Sequence, residues 1–193
     1  MKRLYAILFV IAGIALASSS ASAQMMKENA MMKENPMVGG AAMYPTKTIV
    51  ANAMNSADHT TLVAAVKAAG LVDTLNSAGP FTVFAPTNAA FDQLPAGTVD
   101  TLLKPENKAM LTKVLTYHVV SGKYDSKVLA KLIKKGHGKA WLKTVSGGTL
   151  TTMMDGSNIV VRDEKGGTAT VTTADVYQSN GVIHVVNAVL LPN

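Results

Sequence analysis

From Trp141 to the C-terminus, apolar and polar positions alternate with a period of two through WLKTV, TLTTMM, NIVVRD, TATVTTADV and GVIHVVNAVLL. Successive strand side chains point to opposite faces, so these segments read as strands, and the Gly-Gly and Asp-Gly pairs between them read as turns. Upstream the period is helical. In ADHTTLVAAVKAAGL, Leu62, Val63, Val66 and Ala69 recur at helical spacing behind the candidate caps Asp58 and Thr60, and Gly70 stops the run; a short turn, LVDTL, follows. FTVFAPTN is a compact strand ended by Pro86. The next segment, from Asn88 to Val120, reads as short helices punctuated by Pro95, Gly97 and Pro105 and running into extended chain near His118. DSKVLAKLIKKG is the most regular amphipathic helix, capped by Asp125 or Ser126, apolar at Val128, Leu129, Leu132 and Ile133, and closed by Gly136. A helix-rich first part and a strand-rich second part predict an α+β domain with antiparallel sheets rather than a parallel α/β fold.

The N-terminal residues follow neither period. Lys2 and Arg3 precede an apolar run from Leu4 to Ala17 and then SSSASA, closing on Ala21-Ser22-Ala23, the layout of a secretory signal cut after Ala23. The run is fourteen residues long, whereas a bilayer-spanning helix needs about 20, so no transmembrane anchor is expected after signal cleavage. Residues 24–45 hold a hexamer written twice, MMKENA and MMKENP, followed by MVGGAAMYP, with Pro36, Gly39 and Gly40 opposing any continuous helix. The expected organisation is therefore a signal peptide at 1–23, a Met-rich flexible tail or linker at 24–45, and one domain at 46–193. The chain contains no cysteine, so a disulfide framework is excluded and the core alone must hold the exported fold. Formal charge falls from +6 to +4 when Lys2 and Arg3 leave with the signal, a mild balance that argues against a nucleic-acid partner.

Candidate chemistry is sparse. The histidines are His59, His118, His137 and His184, none spaced i, i+2 or i, i+4 with another, and no thiol is available to complete a tetrahedral metal site. For His118 and His184 the plainer expectation is a buried imidazole with both nitrogens satisfied by neighbours. There is no Gly-x-Ser-x-Gly, no Ser-x-x-Lys and no cysteine nucleophile, and the Gly147-Gly148 and Gly166-Gly167 pairs fall between strands rather than at helix starts. No constellation supports catalysis, and no cofactor is implied.

Three stretches, FTVFAPTNAAF, LTYHVV and SNGVIHVVNAVLLP, in this order in one domain-length chain, resemble the signature of the fasciclin domain family over about Thr46 to Asn193. The resemblance implies a wedge of two mainly antiparallel β-sheets with several helices packed alongside, displayed outside the cell for adhesion or matrix contacts and generally not enzymatic. By position it carries over Tyr117 and His118, a pair tied to the core and, in some animal members, to receptor binding. It also carries over Thr87 and Asn88, where the first motif turns from strand to helix. Ala89 and Asn187 depart from the pattern, standing where acids are common; Asn187 keeps one acceptor but loses a negative charge.

The reading that follows is an exported, non-enzymatic adhesion protein, periplasmic or extracellular at the cell surface, whose partner is a cell-surface or matrix protein or an acidic polysaccharide. Between Lys123 and Lys143 there are seven lysines against one acid, Asp125, with Trp141 close by. Lys127, Lys131, Lys134, Lys135 and Lys139 are the candidate patch for an anionic surface, against the plain alternative of a solvated helix face. The other functional class is a periplasmic ligand- or metal-binding protein that uses Met25, Met26, Met31 and Met32 of the repeat, because thioether sulfur suits Cu(I) and is oxidisable.

Overall fold

A computed structural model describes residues 35–193. The signal at 1–23 and the Met-rich repeat as far as Glu34, with Met25, Met26, Met31 and Met32, lie outside them.

Two short strands, β1 (Met37–Val38) and β2 (Ala41–Ala42), form a hairpin through Gly39 and Gly40, both at positive φ (58° and 74°) as a tight hairpin turn requires. Helices α1 (Ile49–Ala53), α2 (Thr60–Ala69) and α3 (Val72–Asn76) follow, then β3 (Phe81–Pro86), α4 (Asn88–Asp92), α5 (Thr98–Leu103) and α6 (Lys108–Tyr117). After β4 (Val119–Ser121) and α7 (Ser126–Lys135) come β5 (Lys139–Lys143), β6 (Thr149–Asp155), β7 (Asn158–Arg162), β8 (Thr168–Gln178) and β9 (Gly181–Val186). The α+β order of helices first and strands later is as the periodicity predicts.

The strands pair in the order β4-β3-β9-β8-β7-β6-β5, antiparallel throughout except for the parallel pair β3–β9. The two expected sheets meet in β8: Thr168–Thr170 pairs with β7, while Val171 onward pairs with β9 across register shifts between Val171 and Val176. Such bulges bend a strand, which lets one strand serve both sheets. The outer strands nearly close on each other, since Val120 bridges Thr144 and the Val145 N–H donates to the Val119 carbonyl at 2.8 Å.

This topology explains why the strand sequences differ. β3 and β9 are buried on both faces: Val83, Ala85, Ile183 and Val185 enter a core with α1, α2, α5 and α6, whereas Phe84 and Val186 enter a second core with Leu129 of α7, Leu142, Leu150, Val161 and Leu190. They therefore read as continuous apolar runs. β5, β6 and β7 bury one face only and alternate, leaving Lys139, Trp141 and Lys143 outside.

The domain starts earlier than the sequence boundary at 46. Its compact unit begins at Asn35, with Val38 and Met43 only 8% and 2% exposed in the first core. Glycines that oppose a helix here make a hairpin instead, and the buried amide of Asn52 clasps Tyr44, accepting from its N–H (3.1 Å) and donating to its carbonyl (2.8 Å). The spacer reading of 24–45 therefore gives way from about Pro36 onward.

Candidate functional site

The three signature segments converge on Tyr117 and His118 at the end of α6. Tyr117 is fully buried; its hydroxyl donates to the Thr149 carbonyl (2.9 Å) and accepts from the Glu164 N–H (3.0 Å), joining α6 to β6 and to the β7–β8 turn. Burial, aided by Glu164 and Asp163 nearby, pushes its phenol up to about 12. Tyr117→Phe keeps the ring and orphans two backbone groups, so it is expected to cost about 1–3 kcal/mol in urea unfolding.

His118 caps the same helix with its ring, Nδ1 bonding the Val114 carbonyl at 2.8 Å while Nε2 accepts the Leu190 N–H at 3.0 Å. That pairing assigns the proton to Nδ1. Burial holds this imidazole down at about 4, with the Val114 bond and Asp163 opposing, so it is neutral. Its own carbonyl accepts the Phe84 N–H at 2.9 Å, and thus the second motif is tied to the first through Phe84 and to the third through Leu190. Asp163 finishes the C-terminal clasp, accepting from the N–H groups of Leu191 (3.0 Å) and Gly167 (2.6 Å).

Thr87 and Asn88 are helix caps. Thr87 Oγ1 accepts the Ala90 N–H of α4 at 3.3 Å. Asn88 reaches back to α2: its Oδ1 accepts the Thr61 N–H (3.0 Å) and the Thr60 hydroxyl (3.2 Å), and its Nδ2 donates to the Ala57 carbonyl (2.8 Å). Neither Asp58 nor Thr60 caps α2 as the local sequence predicts, because a 3₁₀ turn at Ala57–His59 precedes the helix and Asn88 supplies the acceptor from a distance. Asn187 spends its acceptor on the Thr170 N–H at 2.8 Å, which extends the β8–β9 pairing, and Ala89 is exposed.

A second polar cluster orients α7. Asp125 caps it through the Val128 N–H (2.8 Å), and Asp175, at φ 60° in the bulged part of β8, accepts the Ser126 N–H (2.7 Å). Two carboxylates thus meet the positive end of one helix. His184 stacks on Phe84 with ring centroids 5.6 Å apart; its Nε2 donates to the Tyr124 carbonyl at 2.8 Å and its Nδ1 faces the Asp175 N–H at 3.4 Å, the opposite tautomer to His118. Burial lowers the pKa of His184 and likewise that of His59, whose Nδ1 meets the Ser56 hydroxyl at 2.9 Å.

Sequence reasoning missed Asn52, Asn180 and Asp175. Asn180 joins three elements, accepting the Ile49 N–H (3.0 Å) and donating to the carbonyls of Leu75 (2.7 Å) and Ser77 (3.0 Å). The only signal was polarity beside an apolar run, which a turn residue shows equally.

The outward-facing chemistry is cationic. Lys127, Lys131, Lys134 and Lys135 are exposed on α7 opposite the buried Leu129 and Ile133, and Leu129 packs in the second core with Leu142 of β5 and Leu150 of β6. Lys139 is exposed too, but it stands on the outer face of β5 with Trp141 and Lys143. The five lysines expected as one patch are therefore two surfaces, divided by the sheet. An apolar cavity of about 40 Å³ is lined by Val50, Val66, Val83 and Ile183 among others; His118 also borders it, but both of its ring nitrogens are taken by backbone partners. Among the described residues no helix is long and apolar enough to cross a membrane, and no group of three or more His, Asp or Glu is placed to hold a metal ion.

A domain whose motif residues are consumed in fastening its own strands and helices is defined by that internal fastening, as a structural scaffold. The chain belongs to the fasciclin domain family, whose model matches residues 57–192. It is 46% identical over 167 residues to Protein sll1483 of Synechocystis sp., covering 86% of each chain. It is 38% identical over 145 residues to Immunogenic protein MPB70 of Mycobacterium bovis, covering 72% of this chain and 66% of that one. Among solved structures, a FAS1 domain pair from the insect cell adhesion molecule fasciclin I superposes with a TM-score of 0.67 at 20% identity, over 75% of this chain and 51% of that one.

Proposed function

We propose that this is an exported, non-enzymatic fasciclin-domain protein that mediates adhesion, its outer faces meeting cell-surface or matrix proteins or glycans. The observation that carries the reading is the inward use of Tyr117, His118, Thr87, Asn88 and His184, which leaves exposed cations and Trp141 as the chemistry presented to a partner. The fold match supports it, since that protein is described as a cell adhesion molecule. Of the methionines near the start of the domain, Met43 is packed in the core rather than offered as a ligand. The test compares the parent cell with a strain lacking the gene for attachment and aggregation, with fractionation to locate the protein. Loss of attachment restored by the wild-type gene is expected; unchanged attachment by the deletion strain overturns the adhesive reading.

A further inference from the structure

Trp141 is the only tryptophan in the chain, and it stands 65% exposed in the middle of an edge strand. The pairing register places it in one transverse row, Trp141–Thr151–Arg162–Thr168, across β5, β6, β7 and β8. The neighbouring row is Lys139–Met153–Val160–Thr170, and on the other side Lys143 pairs with Thr149. Strand spacing puts the Cα of Arg162 about 10 Å from that of Trp141, and strand rise puts Lys139 and Lys143 about 7 Å to either side. The alternation turns all of these side chains outward, while Ala140, Leu142, Leu150 and Val161 point into the core.

The face thus carries one indole, three cations and a field of threonine hydroxyls. The acids at its border are Asp155 in the hairpin and Glu164, whose carboxylate accepts the N–H groups of Thr149 (2.9 Å) and Asn193 (3.4 Å). Lysines on an edge strand discourage strand addition, and that alone explains Lys139 and Lys143. It does not explain an exposed tryptophan between them. Nor is the indole masked by a cation: the lysines lying over aromatic rings among the described residues are Lys47 on Tyr44 (4.8 Å) and Lys123 on Tyr177 (4.9 Å).

We infer that this face binds an anionic polysaccharide built of uronic acids, a deepening that rests on the adhesive reading above. The negative face of the indole accepts the C–H face of a sugar ring, Arg162 can grip a carboxylate with two parallel N–H bonds, and Lys139 and Lys143 add point charges. Threonine hydroxyls both donate to and accept from sugar hydroxyls. A lipid surface fits less well, because membrane docking needs a broad apolar face and this one offers a single large exposed apolar group. The lysines of α7 are on the other side of the sheet and take no part.

Polygalacturonate titrated into the full mature chain should quench or shift the fluorescence of Trp141, with neutral dextran as control. Trp141→Ala, read by retardation in polygalacturonate gels, should weaken retention at least tenfold. The pair Lys139→Glu with Lys143→Glu should do the same and flatten the salt dependence, while Lys127→Glu with Lys131→Glu and Lys134→Glu should leave retention intact. The inference is overturned if Trp141→Ala is silent, if the α7 variant abolishes binding instead, or if dextran or anionic phospholipid vesicles bind as well as polygalacturonate. Attachment that persists in cells whose protein ignores polygalacturonate sinks this inference and spares the adhesive reading. Binding to polygalacturonate with no attachment defect in the deletion strain does the reverse.

Discussion

Replacing His118 with leucine is expected to lower the free energy of unfolding by about 3–5 kcal/mol, measured by urea denaturation at pH 7.5 with an unchanged m-value. Leucine is close enough in volume to fill the site, so the loss comes from two buried backbone groups, the Val114 carbonyl and the Leu190 N–H, left without partners. Against a total stability of about 5–15 kcal/mol, that is a large share. His118→Asn places a donor near Nδ1 and should keep the Val114 bond; His118→Gln places an acceptor near Nε2 and should keep the Leu190 bond. Each is expected to fall between wild type and leucine. A leucine variant within about 1 kcal/mol of wild type would show that the ring merely fills space.

The same residue shows how far the sequence could be read. A buried imidazole with both nitrogens satisfied was the expectation for His118 and His184, because lone histidines on apolar strands have few other ways to be buried. What the sequence could not supply was the partner. Leu190 is 72 residues away from His118, and nothing local distinguishes its N–H from any other. Helices and strands were legible where one face is buried, as in α7 and β5–β7, since the period survives in the residue string. It fails where pairing is long-range: Asn88 caps a helix 27 residues upstream, and the bulge that joins the sheets leaves only Asp175 at positive φ as its trace.

The candidate surface was half legible for the same reason. Lysine density marked the segment from Lys123 to Lys143, but density along a chain does not say which side of a sheet each lysine takes. Strand register does, and it brings Arg162, distant in sequence, into the row of Trp141 while sending the α7 lysines elsewhere. The N-terminal boundary was displaced because Gly39-Gly40 breaks a helix and makes a hairpin with equal facility.

Acidification below pH 6.5 is expected to destabilise the domain steeply. In the unfolded chain a histidine binds its proton near 6.5, whereas burial holds His118 in the fold down at about 4 and lowers His184 and His59 as well. Between those values the unfolded state carries more protons, so stability is complete above pH 6.5 and falls as pH drops toward the folded-state values, levelling off only below them. For His118 alone the loss between pH 6.5 and 4 is about 3 kcal/mol, and His184 and His59 add to it in the same direction. The alkaline side mirrors this, because Tyr117 is raised to about 12 and its unfolded form ionises first, so stability should decline again above pH 10. Urea midpoints from pH 4 to 11 should trace a plateau between about pH 7 and 9.5 with a fall on either side. The acid slope should be carried mainly by proton uptake at His118, with His184 and His59 adding in the same direction, and it should become shallower in His118→Asn. Imidazole C–H resonances of His118 that titrate near pH 6.5 in the native protein, or midpoints flat from pH 7 to 5, would mean that these rings are hydrated and that the buried hydrogen-bonded clasp does not exist in solution.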